Sequence, residues 1–318
     1  MGDEQDQQTT RAGRKWVHGL DADAPAHKAA RLVVDERLRR PTDLLGAAVA
    51  EIGHAPEAIH RLRVATRRAQ AALDSFAPLL DKAARRKARR AMQRIRRAAG
   101  PARICDVHEE LFAQRVNAAA SSRCAAIGFV LGRIHAERET AIRSVGRIAE
   151  RWPPKRLQRL RKKALRPVNG KHAGETFGAF GARAVAEAQA TFVEASRQNL
   201  RVFERLHDLR KAAKATRYTL EIFRSCMTPE AFDQMYSRAT EVQRRLGDLN
   251  DTHEMLERLR TIDAPPAAVA AALHDLRAQL EREQDLARDR FLDWWTADRA
   301  QAIVRPANLQ SHITGAAS

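Results

Sequence analysis

Aromatic residues are scarce in this 318-residue chain, at 5% of the total. Runs of alternating β-branched residues, the mark of half-buried strands, are missing as well. Cysteine is rarer still. Cys105, Cys124 and Cys226 are an odd number without CxxC spacing, which speaks against a disulfide framework or a thiolate zinc site and fits a reducing cytoplasm. Long apolar runs are absent. The longer uncharged stretches, residues 124–132 and 264–273, are far too short to cross a bilayer. The opening MGDEQDQQTTRAGRK has no apolar core of the kind a secretory signal needs. Acid is also in short supply, with 39 Asp and Glu against 57 Lys and Arg, for a formal charge of +18.

What remains is rich in Ala, Leu, Arg and Glu, whose side chains lose little rotamer freedom in a helix. Most of the basic excess is Arg, which forks onto phosphate oxygens and stays charged at any cellular pH. Such a balance predicts an anionic partner: nucleic acid, an anionic membrane surface or another phosphate polymer.

Residues 1–25 are polar and aperiodic and read as a mobile tail; residues 305–318 read as a second loose end. From residue 26 a 3.6-residue periodicity recurs between breaks at Pro41, Pro56, Pro78, Gly100–Pro101, Pro153–Pro154, residues 167–170, Pro229, Gly247, Pro265–Pro266 and Pro306. The pieces between are mostly of helical-bundle length.

The chain also repeats itself. His60-RLRVATRRAQAALDS-Phe76 lies over His207-DLRKAAKATRYTLEI-Phe223 without a gap, at an offset of 147 residues. The same offset carries Arg97 onto Arg244, Gly100 onto Gly247 and Arg103 onto Asn250. A register held from residue 60 to 103 predicts a duplication: one unit over residues 26–152, a basic connector over 153–173, and a second unit over 174–299, inside a domain ending near 304.

Turned through 100° per residue, Leu62, Ala65, Thr66, Ala69, Leu73 and Phe76 form one apolar face. His60, Arg63 and Arg67 stack on roughly the opposite side. In the second copy Leu209, Ala212, Ala213, Thr216, Leu220 and Phe223 are the apolar face, and His207, Arg210, Lys214 and Tyr218 the polar row. Cations one turn apart repel each other unless an anion neutralises them. A solvated basic face explains any one such helix. Recurrence of the row, each time followed by further basic residues, favours an anion site. Residues 82–103 hold ten basic residues and no acid; residues 230–250 keep Arg238, Arg244 and Arg245 among four acids. Gly100 and Gly247 are expected to end helices in the left-handed conformation.

The histidines at the head of each row are best read as phosphate donors, since no His-x₃-His spacing offers metal partners. Asp248, Asp251 and His253 are the only cluster to weigh for phosphoryl-transfer chemistry. Gly247-Asp248 and Asn250-Asp251 read more simply as caps and turns between helices.

HxxRVxxRRxxxxLxxF at residues 60–76, with Gly-x-x-Arg-x-x-Asp-Val at 100–107, resembles the first half of a CHAD domain, the conserved histidine α-helical domain. LHDLRKxxKxxRYxxExF at 206–223 and VQRRLGDLND at 242–251 resemble the second half. The resemblance implies an all-α fold of two duplicated four-helix bundles, related by approximate two-fold symmetry about a basic central groove or pore. It implies non-catalytic binding of inorganic polyphosphate there, with location at polyphosphate granules. Carried over by motif position, the binding set is His60, Arg63, Arg67, Arg68, His207, Arg210, Lys211, Lys214 and Tyr218, with Arg97, Arg103, Arg244 and Arg245 added from the next helix. No catalytic residue, metal or cofactor is expected. The family often has Arg-Asp where this chain has Arg103-Ile104, and Ala215 stands opposite Arg68, so the halves are unequal. No ExExK signature of an accompanying triphosphatase domain is present. The alternative is a nucleic-acid-binding or nucleoid-associated helical protein, which would want stacking aromatics or a groove-entering motif. Basic surface outside the groove leaves room for weak nonspecific nucleic-acid binding.

Overall fold

A computed structural model describes residues 15–50, 56–116, 121–166, 174–296 and 298–300. Among them run ten α-helices: α1 (Ala26–Ala50), α2 (Pro56–Ser75), α3 (Lys82–Ala98), α4 (Gly100–Val116), α5 (Ser121–Arg151), α6 (Pro154–Ala164), α7 (Phe177–Ser196), α8 (Phe203–Phe223), α9 (Pro229–Arg260) and α10 (Ala267–Trp294). No strand occurs among the described residues beyond an isolated bridge between Pro25 and Thr176.

The helix boundaries keep the offset of the sequence repeat. Adding 147 to residues 56–75 of α2 gives 203–222, against Phe203–Phe223 for α8. Adding it to the short 3₁₀ turn Ala77–Leu79 gives 224–226, the turn Arg224–Cys226. The caps correspond too. The Asp81 side chain accepts from the Ala84 amide at the head of α3, and that of Thr228 accepts from Ala231 at the head of α9. Each satisfies an amide the first turn leaves open. The apolar faces of α2 and α8 are buried as the pattern predicts: Leu62, Thr66, Ala69, Leu73 and Phe76 in one, Leu209, Ala213, Thr216, Leu220 and Phe223 in the other.

Three expectations from the sequence need correction. Helix α1 runs through Pro41. Proline removes one backbone bond and costs about 3 kcal/mol inside a helix. Burial of Leu38, Pro41 and Leu45 on one face outweighs that cost, and the Thr42 hydroxyl donates to Leu38 O at 3.1 Å. Neither Gly100 nor Gly247 is left-handed, since Gly19 alone has positive φ among the described glycines. Gly247 lies inside α9, and so do Asp248, Asn250 and Asp251, which therefore cap nothing. In the first unit the same stretch is divided at Gly100 into α3 and α4, where Pro101 opens a new helix.

The last residues of the expected N-terminal tail are also built in. Trp16 packs on Phe232, with ring centroids 5.7 Å apart, and Lys15 O accepts from Arg37 Nη2 at 2.7 Å. Phe177 N donates to Ala24 O and Gly178 N to Ala22 O, both at 2.8 Å. The physical reason is Trp16, an apolar anchor in an otherwise polar segment. Residues 1–14 and 305–318 lie outside the described residues. Within the basic connector, residues 154–164 form α6 and bury Leu157 and Ala164.

Three clusters make the core. One joins α1, α2 and α3 to Phe177, Phe180, Leu220 and Phe223 from the second unit. Another belongs to α7, α8, α9 and α10. The third is shared: Cys105, Phe112, Ile127 and Ile134 from the first repeat pack with Leu256, Leu259, Leu273 and Leu276 from the second. Cys105, Cys124 and Cys226 are free thiols, and no described helix is long and apolar enough to cross a membrane.

Candidate functional site

Burying one side of α2 turns His60, Arg63 and Arg67 away from the core, yet all three remain half-buried because α3 and α4 pack alongside. Arg63 Nη1 donates to Arg96 O at the end of α3 at 3.0 Å. The guanidinium lies directly over Gly100: a Cβ there would sit 3.1 Å from Arg63 Nη1. The second copy repeats the device. Arg210 Nε donates to Leu246 O at 3.2 Å, and a Cβ on Gly247 would lie 3.7 Å from Arg210 Nη2. The two glycines thus admit an arginine side chain against a helix backbone, which is close approach rather than unusual φ.

The cations crowd one another. Burial and the neighbouring Arg67, Arg96 and Arg103 pull Arg63 down to about 10. Burial likewise lowers His60, helped by Arg103, Arg67 and Arg63 and opposed by Glu57. Arg96 is lowered by burial and then by Arg67, and its side chain also feels Tyr218 of α8. Arg67 also reaches across to the second repeat. Arg210 is lowered mainly by burial, with Asp251 opposing and Arg67 adding to the fall. His60, Arg63, Arg67, Arg96 and Arg103 therefore share one field with Arg210 and Tyr218, opposed by Glu57 at His60, by Glu254 at Arg63 and by Asp251, Glu254 and Asp248 at Arg210.

The second copy is more self-sufficient. His207 Nδ1 is 3.1 Å from Asn250 Oδ1, and Asn250 donates to Glu254 at 2.8 Å. Asn250 thus faces His207 where Arg103 faces His60. Burial raises the Asp251 carboxyl despite Arg210 beside it. Lys214 is half-buried one turn beyond Arg210, and the Arg217 guanidinium stacks 5.1 Å from the buried Tyr218 ring.

Several residues of the expected binding set stand elsewhere. Arg68 is about 100° round α2 from Arg67 and bonds the buried Glu221 carboxylate, Nε to Oε2 at 2.7 Å and Nη2 to Oε1 at 3.3 Å. It also lines a cavity of about 340 Å³ between α1 and α2 with Arg37, Arg40, Leu44 and His60. Lys211 pairs with Asp208 at 3.0 Å. Arg244 and Arg245 both bond Glu241, and Arg245 lies 4.5 Å over the Trp294 ring. Arg97 is exposed, while Arg96 beside it faces the row. Helical phase carried that signal: Arg85, Arg89 and Arg96 share the edge of α3 that meets α2, and Arg97 is a quarter-turn beyond it. His253 stacks on Phe203 at 3.9 Å and meets Gln284 Nε2 at 3.4 Å, so it does not converge with Asp248 and Asp251. Among the described residues no group of three or more His, Cys, Asp or Glu could hold a metal ion.

Comparison with solved structures finds the same fold. The CHAD domain from the plant Ricinus communis superposes with a TM-score of 0.61 at 22% identity, covering 94% of this chain and 93% of that one. PptA from Streptomyces chartreusis superposes with a TM-score of 0.61 at 19% identity, covering 86% and 99%. Comparison with curated proteins finds no match. The family model of the CHAD domain matches residues 43–260, more than half of the chain and the whole of both cationic rows, and the chain belongs to the CHAD domain family.

Proposed function

We propose that this protein binds inorganic polyphosphate without turning it over and is held by that binding at polyphosphate granules. The observation that carries the reading is the crowding of Arg67, Arg96 and Arg103 around the half-buried Arg63, with His60 beside them and Arg210 of the second repeat facing Arg67. Half-buried guanidiniums set this close together want a counter-anion, and a strand of closely spaced phosphates meets several at once. The family's association with polyphosphate supports the same reading. Arginine dominates because its fork stays charged and holds two oxygens together.

Contacts of this kind release condensed counterions. About six of them make affinity fall on the order of a thousandfold between 50 and 200 mM salt. The deciding experiment titrates long polyphosphate against duplex DNA, at matched phosphate concentration and two salt concentrations. Polyphosphate is expected to win by at least tenfold, and Arg63→Gln with Arg210→Gln is expected to remove most of that advantage at unchanged helicity. Equal affinity for the two polymers, or full binding by that double variant, refutes the reading. Incubation with polyphosphate and Mg²⁺ or Mn²⁺ is expected to leave chain length unchanged, and a tagged protein to co-localise with stained granules.

A further inference from the structure

Helix α3 carries nine Lys or Arg residues and no acid in its 17 residues. Its buried residues, Ala88, Ala91, Met92 and Ile95, occupy one stripe. On the edge toward α2, Asp74 pairs with Arg89 at 2.8 Å and Arg85 at 3.7 Å, and Arg96 faces Arg67. From that edge the cations continue round the exposed arc through Lys82, Arg86, Arg90, Arg94 and Lys87. A positive surface therefore runs from the half-buried row on α2, across Arg96, onto the outside of α3 without interruption by a carboxylate of α3. The helix is about 25 Å long at 1.5 Å per residue.

The corresponding stretch of the second repeat differs. The first half of α9 holds Glu230, Asp233 and Glu241, and Glu241 neutralises Arg244 and Arg245. Both helices fold and bury equivalent stripes, so neither folding nor packing requires α3 to be free of acid. A surface kept for solubility would mix both signs. The one-sided charge adjoins the site where the anion is proposed to sit.

The geometry points to α3 as an outer track for a long polyphosphate chain: the strand held at Arg63 and Arg67 passes over Arg96 and continues along Arg86, Arg90 and Arg94. This rests on the polyphosphate reading above and adds to it a preference for chain length. A short chain fills the inner row alone. A long one also engages α3, with higher affinity and a steeper dependence on salt.

The test compares an oligophosphate of about ten phosphates with a polymer of about one hundred, each titrated at two salt concentrations. The test variant is Arg86→Gln, Arg90→Gln and Arg94→Gln together, all exposed and outside the inner row. A control removes equal charge elsewhere, through Arg197→Gln, Arg282→Gln and Arg290→Gln, exposed on the second repeat and α10. The α3 variant is expected to lose at least tenfold in affinity for the long polymer and to lower the slope of log K on log salt by about 2. It should leave the short chain within twofold, and the control should leave both chains within twofold. Equal loss on both chain lengths, no loss on either, or the same loss from the control overturns the track. Failure of the wild-type protein to bind even the short chain speaks against the inner site itself, a separate outcome.

Discussion

Phe76 and Phe223, 147 residues apart in sequence, meet with ring centroids 5.4 Å apart and planes inclined by 59°. Equivalent positions of the two repeats are thus in contact, at the ends of α2 and α8 furthest from the histidines. Phe177 and Phe180 close the same cluster, at 6.3 and 5.7 Å from Phe76. This aromatic knot joins the ends of the two cationic helices. Phe76→Ala or Phe223→Ala should each cost about 3–5 kcal/mol, measured by denaturant unfolding. The double variant should cost less than the sum, because the second truncation enlarges a cavity already open.

Gly100 and Gly247 separate by size of effect. At Gly247 an added methyl meets Arg210 at 3.7 Å, ordinary contact, and the residue sits inside a continuous helix. Gly247→Ala should stabilise by roughly 0.5–1 kcal/mol through lower backbone entropy in the unfolded chain. At Gly100 the contact is 3.1 Å, so Gly100→Ala pushes the Arg63 guanidinium by a few tenths of an ångström against its bond to Arg96 O. Its stability gain should vanish, and polyphosphate affinity should fall while that of Gly247→Ala holds. Matched thermal melts and titrations check both.

Glu221 is buried among several cations, with one phenol beside it. Arg68 binds it across the helix pair and Tyr236 Oη donates to it at 3.2 Å, while Arg37 and Lys15 feel its charge. Glu221→Gln removes the buried carboxylate that these cations share and should destabilise by about 3–5 kcal/mol. Replacing Arg68 by Met as well should recover part of the loss, because one uncompensated cation goes with it.

His108 predicts a pH-dependent stability. It is buried, its Nδ1 accepts from Arg258 Nε at 2.8 Å, and Glu254 Oε2 is 4.0 Å from its Nε2. Glu137 also faces the site by bonding Arg258. Burial, then Arg258, pulls the imidazole down to about 4. A depressed folded value means the unfolded chain takes the proton first as pH falls. The stability that His108 contributes is therefore complete above about pH 6.5 and is lost progressively toward pH 4. The fall in Tm between pH 7 and 5 should shrink in His108→Gln.

His60 predicts the opposite trend for binding. Burial and then Arg103 hold it low in the free protein, with Arg67 and Arg63 adding and Glu57 opposing. A bound polyanion neutralises those cations and raises the imidazole, so binding takes up a proton. Affinity for polyphosphate should strengthen as pH falls from 7.5 to 5.5, and His60→Gln should flatten that dependence. Titration at four pH values measures it.

Much of this was readable in the chain. The helices and their buried faces follow from apolar spacing between Pro and Gly signals, and the repeat fixed which positions correspond. Gly247 was misread because a glycine that ends a helix and one that admits a neighbouring side chain look the same in one dimension. A gap-free alignment matches Arg97 to Arg244, whereas helical phase decides which arginine faces α2, and there it is Arg96. The Arg68–Glu221 pair joins residues 153 apart, and no local pattern announces such a partner. Trp16 carried a signal, a lone large aromatic in a polar segment, that composition averaged away.

The shared cluster of Cys105, Phe112, Ile127 and Ile134 with Leu256, Leu259, Leu273 and Leu276 bears on how such a chain can be divided. Cleavage between α6 and α7 would not release two self-contained modules. Each fragment would expose half an oily interior to water, and would have to recover its missing half from the other fragment or from another copy of itself.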